Sequence, residues 1–406
     1  MRDSIGLAAY RTLSGRRAAP EYTPAQSRPT GEVVWIHAAE PGNNRAISDL
    51  AQRLITVRHG THAVLTAAHG GFDRIDVAGL WIEPVPEDHP ETARAFLRHW
   101  RPDVVIWTWG GLKPNLILEA DKSGAHMLMV DTAGEGFDGR RDRWLPEVPK
   151  RLLAAFDHVI ARDRDARERL VQLGCAVSRV ELGPPLHPSG QMLPANDSDI
   201  KDVTEALAGR PTWLAARATR AEGRILLGAH KLALGTSHRL LLILHATSAA
   251  DSAHSMDLAR AAGMRAVYWG DGHLPDDNCQ VLVADADDEL GLWLRIAPVT
   301  FLGGSLHAGR DVCDPYIAAS HGSALIYGPH VGQYADAFTR LVKARAARIV
   351  NDKKTLGRAV SQMTAPDQAA LMAMAGWDVV TRSALSLDRV IDLTQSHLDA
   401  IDGGAI

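Results

Sequence analysis

The feature that most restricts the fold is a grammar repeated along the chain: short, continuously apolar runs, each followed by a longer amphipathic stretch. In the first half the runs are EVVWIHA, HAVLTAA, VVIWTW, HMLMVD, HVIAR and VSRVELG. In the second half they are PTWLAAR, LLLILHA, RAVYWG, CQVLVAD, PVTFLGG, SALIYG and ARIVN. Strands that are apolar throughout, rather than at alternate positions, are buried on both faces, which implies parallel sheets with helices on either side. Residues 45–56, 90–100 and 164–173 supply helical patterning between them. A stretch with four prolines, LGPPLHPSGQMLPANDSD at 182–199, separates the two sets and reads as a hinge. At 406 residues the chain exceeds the roughly 250–300 that one core sustains. The expected organisation is an N-terminal segment (1–30), a first α/β domain (31–185), a linker (186–200), a second α/β domain (201–385) and a helical tail (386–406).

Bulk properties remove several function classes. A formal charge of −4 gives no global attraction to nucleic acid or anionic lipid, so no nucleic-acid partner is expected. The three cysteines, Cys175, Cys279 and Cys313, lie far apart without CxxC spacing, which argues against a disulfide framework and a zinc site and fits a reducing cytoplasm. No run of 18 apolar residues is present to span a bilayer. The start, MRDSIGLAAYRTLSGRRAAPEYTPAQSRPTG, has a short apolar patch followed by Arg16 and Arg17 and lacks the apolar region of a signal peptide. It is expected to fray or pack locally, an interfacial helix being the alternative. The 18 histidines form no HExxH spacing, and His37 is expected to be buried and hydrogen-bonded. DADDE, at 285–289, could hold Mg²⁺ through paired aspartates; a solvated acidic turn explains it more simply, and no metal is expected.

Two junctions look functional. WIHAAEPGNN, at 35–44, runs from a strand into a helix with one carboxylate, Glu40, and then Gly42, Asn43 and Asn44. FLGGSL carries Gly303, Gly304 and Ser305 after a strand, where glycines let the backbone approach a ligand and the following amides can hold a phosphate. A tight strand-to-loop turn would use the same residues.

Several segments, in order, resemble the 3-deoxy-D-manno-octulosonic acid (Kdo) transferases: GEVVWIHAAEPGNNRA, RPDVVIWTWGGLKPNLI, RDRDARERLVQLG, RPTWLAARATRAEGRILLGAHKLAL, DDELGLWLRIAPVTFLGGSLHAGRDVCDP and LIYGPHVGQYADAFTRL. The resemblance implies a GT-B fold: two facing Rossmann-like domains with a ligand cleft between them. It implies transfer of Kdo from CMP-Kdo to a lipid A precursor in the lipopolysaccharide biosynthesis of a Gram-negative bacterium, with no cofactor or catalytic metal. The location implied is the cytoplasm, peripheral contact with the inner membrane being a further possibility. The family's hydrophobic N-terminal anchor would be missing or shortened here.

The motifs depart from the family where chemistry is expected. The family's Ser-x-Gly-Glu ends in the catalytic base; aligned on Gly42 and Arg45, that base falls on Asn43 and the Ser on Glu40. An amide cannot accept a proton near pH 7. Glu40 is then either a relocated base or an anion capping the helix or pairing with Arg45, and the helix dipole would weaken it as a base. In the family's Glu-Thr-Glu-Leu-Trp-Pro-Asn the two acids become Trp109 and Gly111, while Leu112, Pro114 and Asn115 persist. Trp107 and Trp109 would fill the vacated groove, as a floor for a sugar or as core. The Lys of Gly-Asn-Leu-Lys becomes Leu186, and Pro-Arg-His-Pro becomes HATS, at 245–248, which removes the Arg expected near the CMP phosphate.

On the donor side more is kept. Glu289, Gly303, Gly304, Ser305 and His330 match family positions. Asp311 occupies an Asn slot and adds charge near a phosphate unless Arg310 offsets it. Asp314 occupies a Glu slot, where it could accept ribose hydroxyls or cap the next helix. Any nucleotide is expected near Glu289, Ser305, Asp311, Asp314 and His330. Three readings stay open: a transferase for Kdo or a related sugar onto a lipid or saccharide; a non-catalytic paralogue that binds nucleotide or glycolipid; and a transferase with another donor. Kdo transfer itself is expected to be weak or absent.

Overall fold

The computed structural model describes residues 5–40, 44–68, 71–72, 77–134, 147–190 and 192–403. The chain forms two compact units, one built from residues 1–188 with 382–406 and the other from 189–381. In the first unit the strands are β1 (Glu32–Ala38), β2 (Thr61–Ala67), β3 (Leu80–Ile82), β4 (Val104–Thr108), β5 (His126–Thr132), β6 (His158–Ala161) and β7 (Val180–Leu182). They form a seven-stranded parallel sheet in the order β3-β2-β1-β4-β5-β6-β7. The second unit contains β8 (Thr212–Ala218), β9 (Leu241–Ala246), β10 (Ala266–Tyr268), β11 (Val281–Ala284), β12 (Val299–Leu302), β13 (Ala324–Tyr327) and β14 (Ala347–Ile349). These form a second seven-stranded parallel sheet, in the order β10-β11-β9-β8-β12-β13-β14. Each unit is Rossmann-like.

Burial explains the sequence pattern. Every residue of β1 after Glu32, and all of β4, is buried. The helix Asn44–Val57 turns Ala46, Ile47, Leu50, Ala51 and Leu54 inward and leaves its other face to solvent. Trp35, Trp100, Trp107, Trp213 and Trp293 are fully buried, so half of the chain's ten tryptophans serve as core. In each sheet the strand order reverses once, between β1 and β4 in the first and between β8 and β12 in the second. The crevice beyond the carboxyl ends of strands at such a reversal is where open α/β sheets bind ligands.

The units divide after Pro188, inside the expected linker 186–200, but that segment is not a free spacer. Residues 189–200 belong to the second unit: the Asn196 side chain accepts the Ser198 amide (2.9 Å) at the start of the helix Asp197–Leu207, which buries Val203 and Leu207. The tail is not a separate element either. One helix, Pro366–Gly403, crosses the boundary, and its Leu387, Val390, Ile391 and Leu398 join Val34, Ile36 and Leu54 in one apolar cluster of the first unit. Arg389 adds a bidentate bond to Glu181 (2.8 and 2.7 Å). At the other end, the helix Ile5–Ser14 packs locally: Leu7 is 1 % exposed, the Tyr10 hydroxyl donates to Asp88 (2.8 Å) and Arg11 pairs with Glu119 (2.6 Å). Among the described residues no helix is long and apolar enough to cross a membrane.

Two buried histidines make stability depend on pH. His37 in β1 is pushed down to about 3, first by burial and then by the charge of Lys113. His230 accepts from the Trp213 indole (3.1 Å), faces the Gln280 carbonyl (2.9 Å) and is pushed by burial to about 4. Unfolded histidine titrates near 6.5, so below that pH the unfolded chain binds more protons than the native one, and stability falls as pH drops toward 4 and then 3. At pH 4.5 each site is expected to have lost about 2–3 kcal/mol relative to pH 7. Urea midpoints across that range should fall accordingly, and the slope should flatten in His230→Gln; a parallel slope would contradict the assignment.

Candidate functional site

At the reversal point of the first sheet, the ends of β1 and β4 are tied together. The Thr108 hydroxyl accepts the Ala39 amide (2.9 Å) and donates to the His37 carbonyl (3.2 Å). Glu40, the next residue, is exposed. It lies against Gly110, whose φ is +139°; a Cβ there would sit 2.8 Å from Glu40 Cγ and 2.9 Å from its Oε1. Only glycine leaves that space. The segment where the family carries two acids thus receives one carboxylate, delivered from the neighbouring strand. Asn43, the other expected catalytic residue, lies outside the described residues.

Trp107 and Trp109 belong to the core, with 0 % and 8 % exposure, and the Trp107 ring packs 4.1 Å from that of His37. They are not a sugar floor. His37 is buried as expected, its Nδ1 2.8 Å from the Thr66 hydroxyl, which also accepts the Trp35 indole (2.9 Å). Its Nε2 has no partner among the described residues.

Beside Glu40 lies an ion pair that the motif comparison did not single out. Asp131, near the end of β5, has φ +60°, and its carboxylate takes two bonds of 2.7 Å from Arg162 and one of 2.9 Å from the Leu186 amide. Aspartate is among the few side chains that tolerate this backbone region. Arg162 follows β6, and hydrogen bonding to Asp131, with the charges of Asp131, Asp163 and Glu40, raises its pKa further. Leu186, in the family's Lys slot, is 4 % exposed and apolar. Among the described residues, a cation near Glu40 at this end of the sheet is Arg162, held by Asp131, while Glu40 itself is an exposed carboxylate.

In the second unit the organising residue is Glu222, which sequence reasoning missed. It is fully buried just before the helix Gly223–Leu234. One carboxylate oxygen accepts the Thr219 amide (3.0 Å), the Thr219 hydroxyl (2.8 Å) and the Gly304 amide (2.8 Å); the other accepts the Leu306 amide (3.1 Å). It clamps the loop after β8 to the loop after β12, across the reversal point of this sheet. In the sequence it is one more Glu in a turn, TRAEGR; two of its three amide partners are 82 and 84 positions away.

The clamp changes the reading of the glycine loop. A Cβ on Gly303 would lie 2.3 Å from the Arg217 carbonyl oxygen, and one on Gly304 (φ +78°) would lie 2.0 Å from that of Asp311. The Ser305 hydroxyl donates to the Leu302 carbonyl and accepts the Gly328 amide (2.7 Å), in full burial. Chain packing against chain thus gives these residues a structural reason of their own. Asp314 caps a helix: its carboxylate accepts the Tyr316 amide (2.8 Å) at the start of Pro315–Ser320. Asp311 and His330 are exposed, and the His330 amide donates to the Ser305 carbonyl (2.9 Å). Glu289 accepts the Trp269 indole (2.9 Å), and burial, followed by neighbouring acids, raises its pKa. In DADDE, Asp285 accepts the Tyr268 hydroxyl (3.0 Å) and Asp287 pairs with Arg217 (2.7 Å), so these acids hold local partners.

The comparisons match this architecture to known proteins. A family model described as 3-deoxy-D-manno-octulosonic-acid transferase (kdotransferase) matches residues 12–186, most of the first unit. A 3-deoxy-D-manno-octulosonic acid transferase of Haemophilus influenzae is 23% identical over 92% of this chain and 89% of its own. One from Bordetella pertussis is 25% identical over 91% of this chain and 88% of its own. The chain is similar to the Kdo transferases along most of its length. A probable mitochondrial relative in Arabidopsis thaliana is 25% identical over 79% of this chain and 73% of its own. Among solved structures, the C-terminal CMP-Kdo binding domain of WaaA from Acinetobacter baumannii is similar over 46% of this chain and 99% of that one, with 17% identity and a TM-score of 0.42. Trp109, Gly111 and Leu186, which occupy motif slots, fall within the span of the family model.

Proposed function

We propose that the protein is a slow glycosyltransferase that moves Kdo or a related sugar from a CMP-linked donor to a lipid A precursor or another saccharide acceptor. It would act in lipopolysaccharide biosynthesis, on the cytoplasmic side and in peripheral contact with the membrane that holds the acceptor. The observation that carries this reading is Glu40: an exposed carboxylate at the sheet's reversal point, lodged where Gly110 makes room and close enough to Arg162 for the two charges to interact. It would take the acceptor proton, while Arg162 would favour the charge that develops as the donor departs.

The test is purified protein with CMP-Kdo and a lipid A precursor. Slow turnover is expected, at least about 100-fold below that of a relative with the complete acidic motifs, since general acid–base help is typically worth 10²–10⁴. Glu40→Gln should remove most of what remains, and Gly110→Ala, which displaces the Glu40 side chain, should do nearly the same. Turnover indifferent to both would sink the assignment of Glu40. A binding paralogue without turnover is the second reading, favoured by the buried apolar Leu186 and Trp109 in slots where the family has ionisable groups.

A further inference from the structure

The motif HATS lacks the arginine that would meet the donor phosphate, yet the same end of the second sheet is rich in unpaired cations. A cavity of about 610 Å³ is lined by Thr219, Arg220, Arg224, Thr247, Asp251, His254 and Arg310 among others. Arg220 and Arg224 stand in the turn and helix start after β8, Thr247 follows β9, and Arg310 lies in the loop after β12. Those three strands are adjacent in the sheet, so the cavity opens at its reversal point. None of the three arginines has an ion pair or hydrogen bond among the described residues. The acid in the lining, Asp251, already accepts the Thr247 hydroxyl (2.8 Å). Three guanidinium groups against one carboxylate leave a net positive charge of about two, which an anion of similar charge would offset.

We infer that this cavity seats the phosphate of the nucleotide donor, gripped by Arg220, Arg224 and Arg310, the lost arginine of the motif being replaced from neighbouring loops. The inference rests on the donor reading above and moves the donor contacts: Glu289, Ser305, Asp314 and His330 do not line the cavity. Guanidinium suits the role because it stays charged and meets phosphate oxygens with two parallel donors. The Glu222 clamp holds the loop bearing Arg220 to the loop that leads on to Arg310. Asp311, beside Arg310, does not line the cavity.

The experiment is calorimetric titration of the full chain with CMP, using wild type, Arg220→Ala/Arg224→Ala and Arg310→Ala, each first shown to melt as wild type does. Turnover of CMP-Kdo by wild type is measured alongside. Affinity for CMP should fall about 10- to 100-fold in the double variant and about 10-fold in Arg310→Ala, with a shallower salt dependence in both. Equal affinity in all three proteins overturns the inference and leaves the donor reading untouched. A wild type that fails to bind CMP overturns it as well. Arginine-dependent CMP binding without wild-type turnover upholds the phosphate site while removing the transfer reading.

Discussion

Replacing Glu222 by alanine is expected to lower the melting temperature of the second unit by roughly 8–16 °C. The carboxylate is fully buried and accepts the amides of Thr219, Gly304 and Leu306 and the Thr219 hydroxyl. Its removal strands those donors, and an unmet buried donor costs about 1–3 kcal/mol. The total comes to about 4 kcal/mol or more, and each kcal/mol shifts the melting point by roughly 2–4 °C in a unit of this size. Glu222→Gln keeps the volume but turns an NH₂ toward some of those donors, so it should fall between alanine and wild type. Calorimetric scans resolve the outcome. A shift of less than about 3 °C for alanine would mean that the loops after β8 and β12 hold together without the clamp.

Asp131→Ala should be nearly as damaging to the first unit. The Asp131 side chain is 1 % exposed and satisfies both Arg162 and the Leu186 amide. Removing one partner of a buried, hydrogen-bonded pair typically costs about 3–5 kcal/mol, because the other charge stays behind. Arg162 is about a third exposed, which places the expected cost at the lower end, about 3 kcal/mol. Alanine adds strain at φ +60°. Asn separates the two effects: it tolerates this backbone and can still accept the Leu186 amide, but lacks the charge. If the pair matters electrostatically, denaturant midpoints should order wild type above Asn above Ala. Coincident wild-type and Asn midpoints would reduce the role of Asp131 to backbone geometry.

Much of the fold was legible because burial on both faces of a parallel sheet writes itself into composition. Every run read as a strand contains one, from EVVWIHA to ARIVN. The strand missed, β3, has three residues, and Ile82 at its end is exposed, so no apolar run marks it. Function was harder to read for a specific reason: motif slots name positions, not neighbours. Trp109 in an acid's slot suggested an emptied groove, but Glu40, from beyond the end of β1, lies in the space that Gly110, the residue after Trp109, leaves open. Gly303 and Gly304 look alike in sequence whether they admit a ligand or another backbone, and only the structure shows the carbonyls of Arg217 and Asp311 standing close against them. The units do divide inside the stretch 186–200, but its extent as a spacer was overread, because a proline-rich stretch reads as a spacer even when, as at Asn196, it begins a packed helix.

The first unit is assembled from two segments far apart along the polypeptide, and this has a consequence for synthesis. Val34, Ile36 and Leu54 emerge early from the ribosome, but Leu387, Val390, Ile391 and Leu398, which cover the same cluster, emerge more than three hundred residues later. Until then that face of the sheet is covered only in part, by the helix Asn44–Val57, while residues 189–381 can complete their own core. The second unit is therefore placed to fold first despite being made second, against the usual order of translation. During that interval the nascent first unit is the part of the protein most in need of a chaperone.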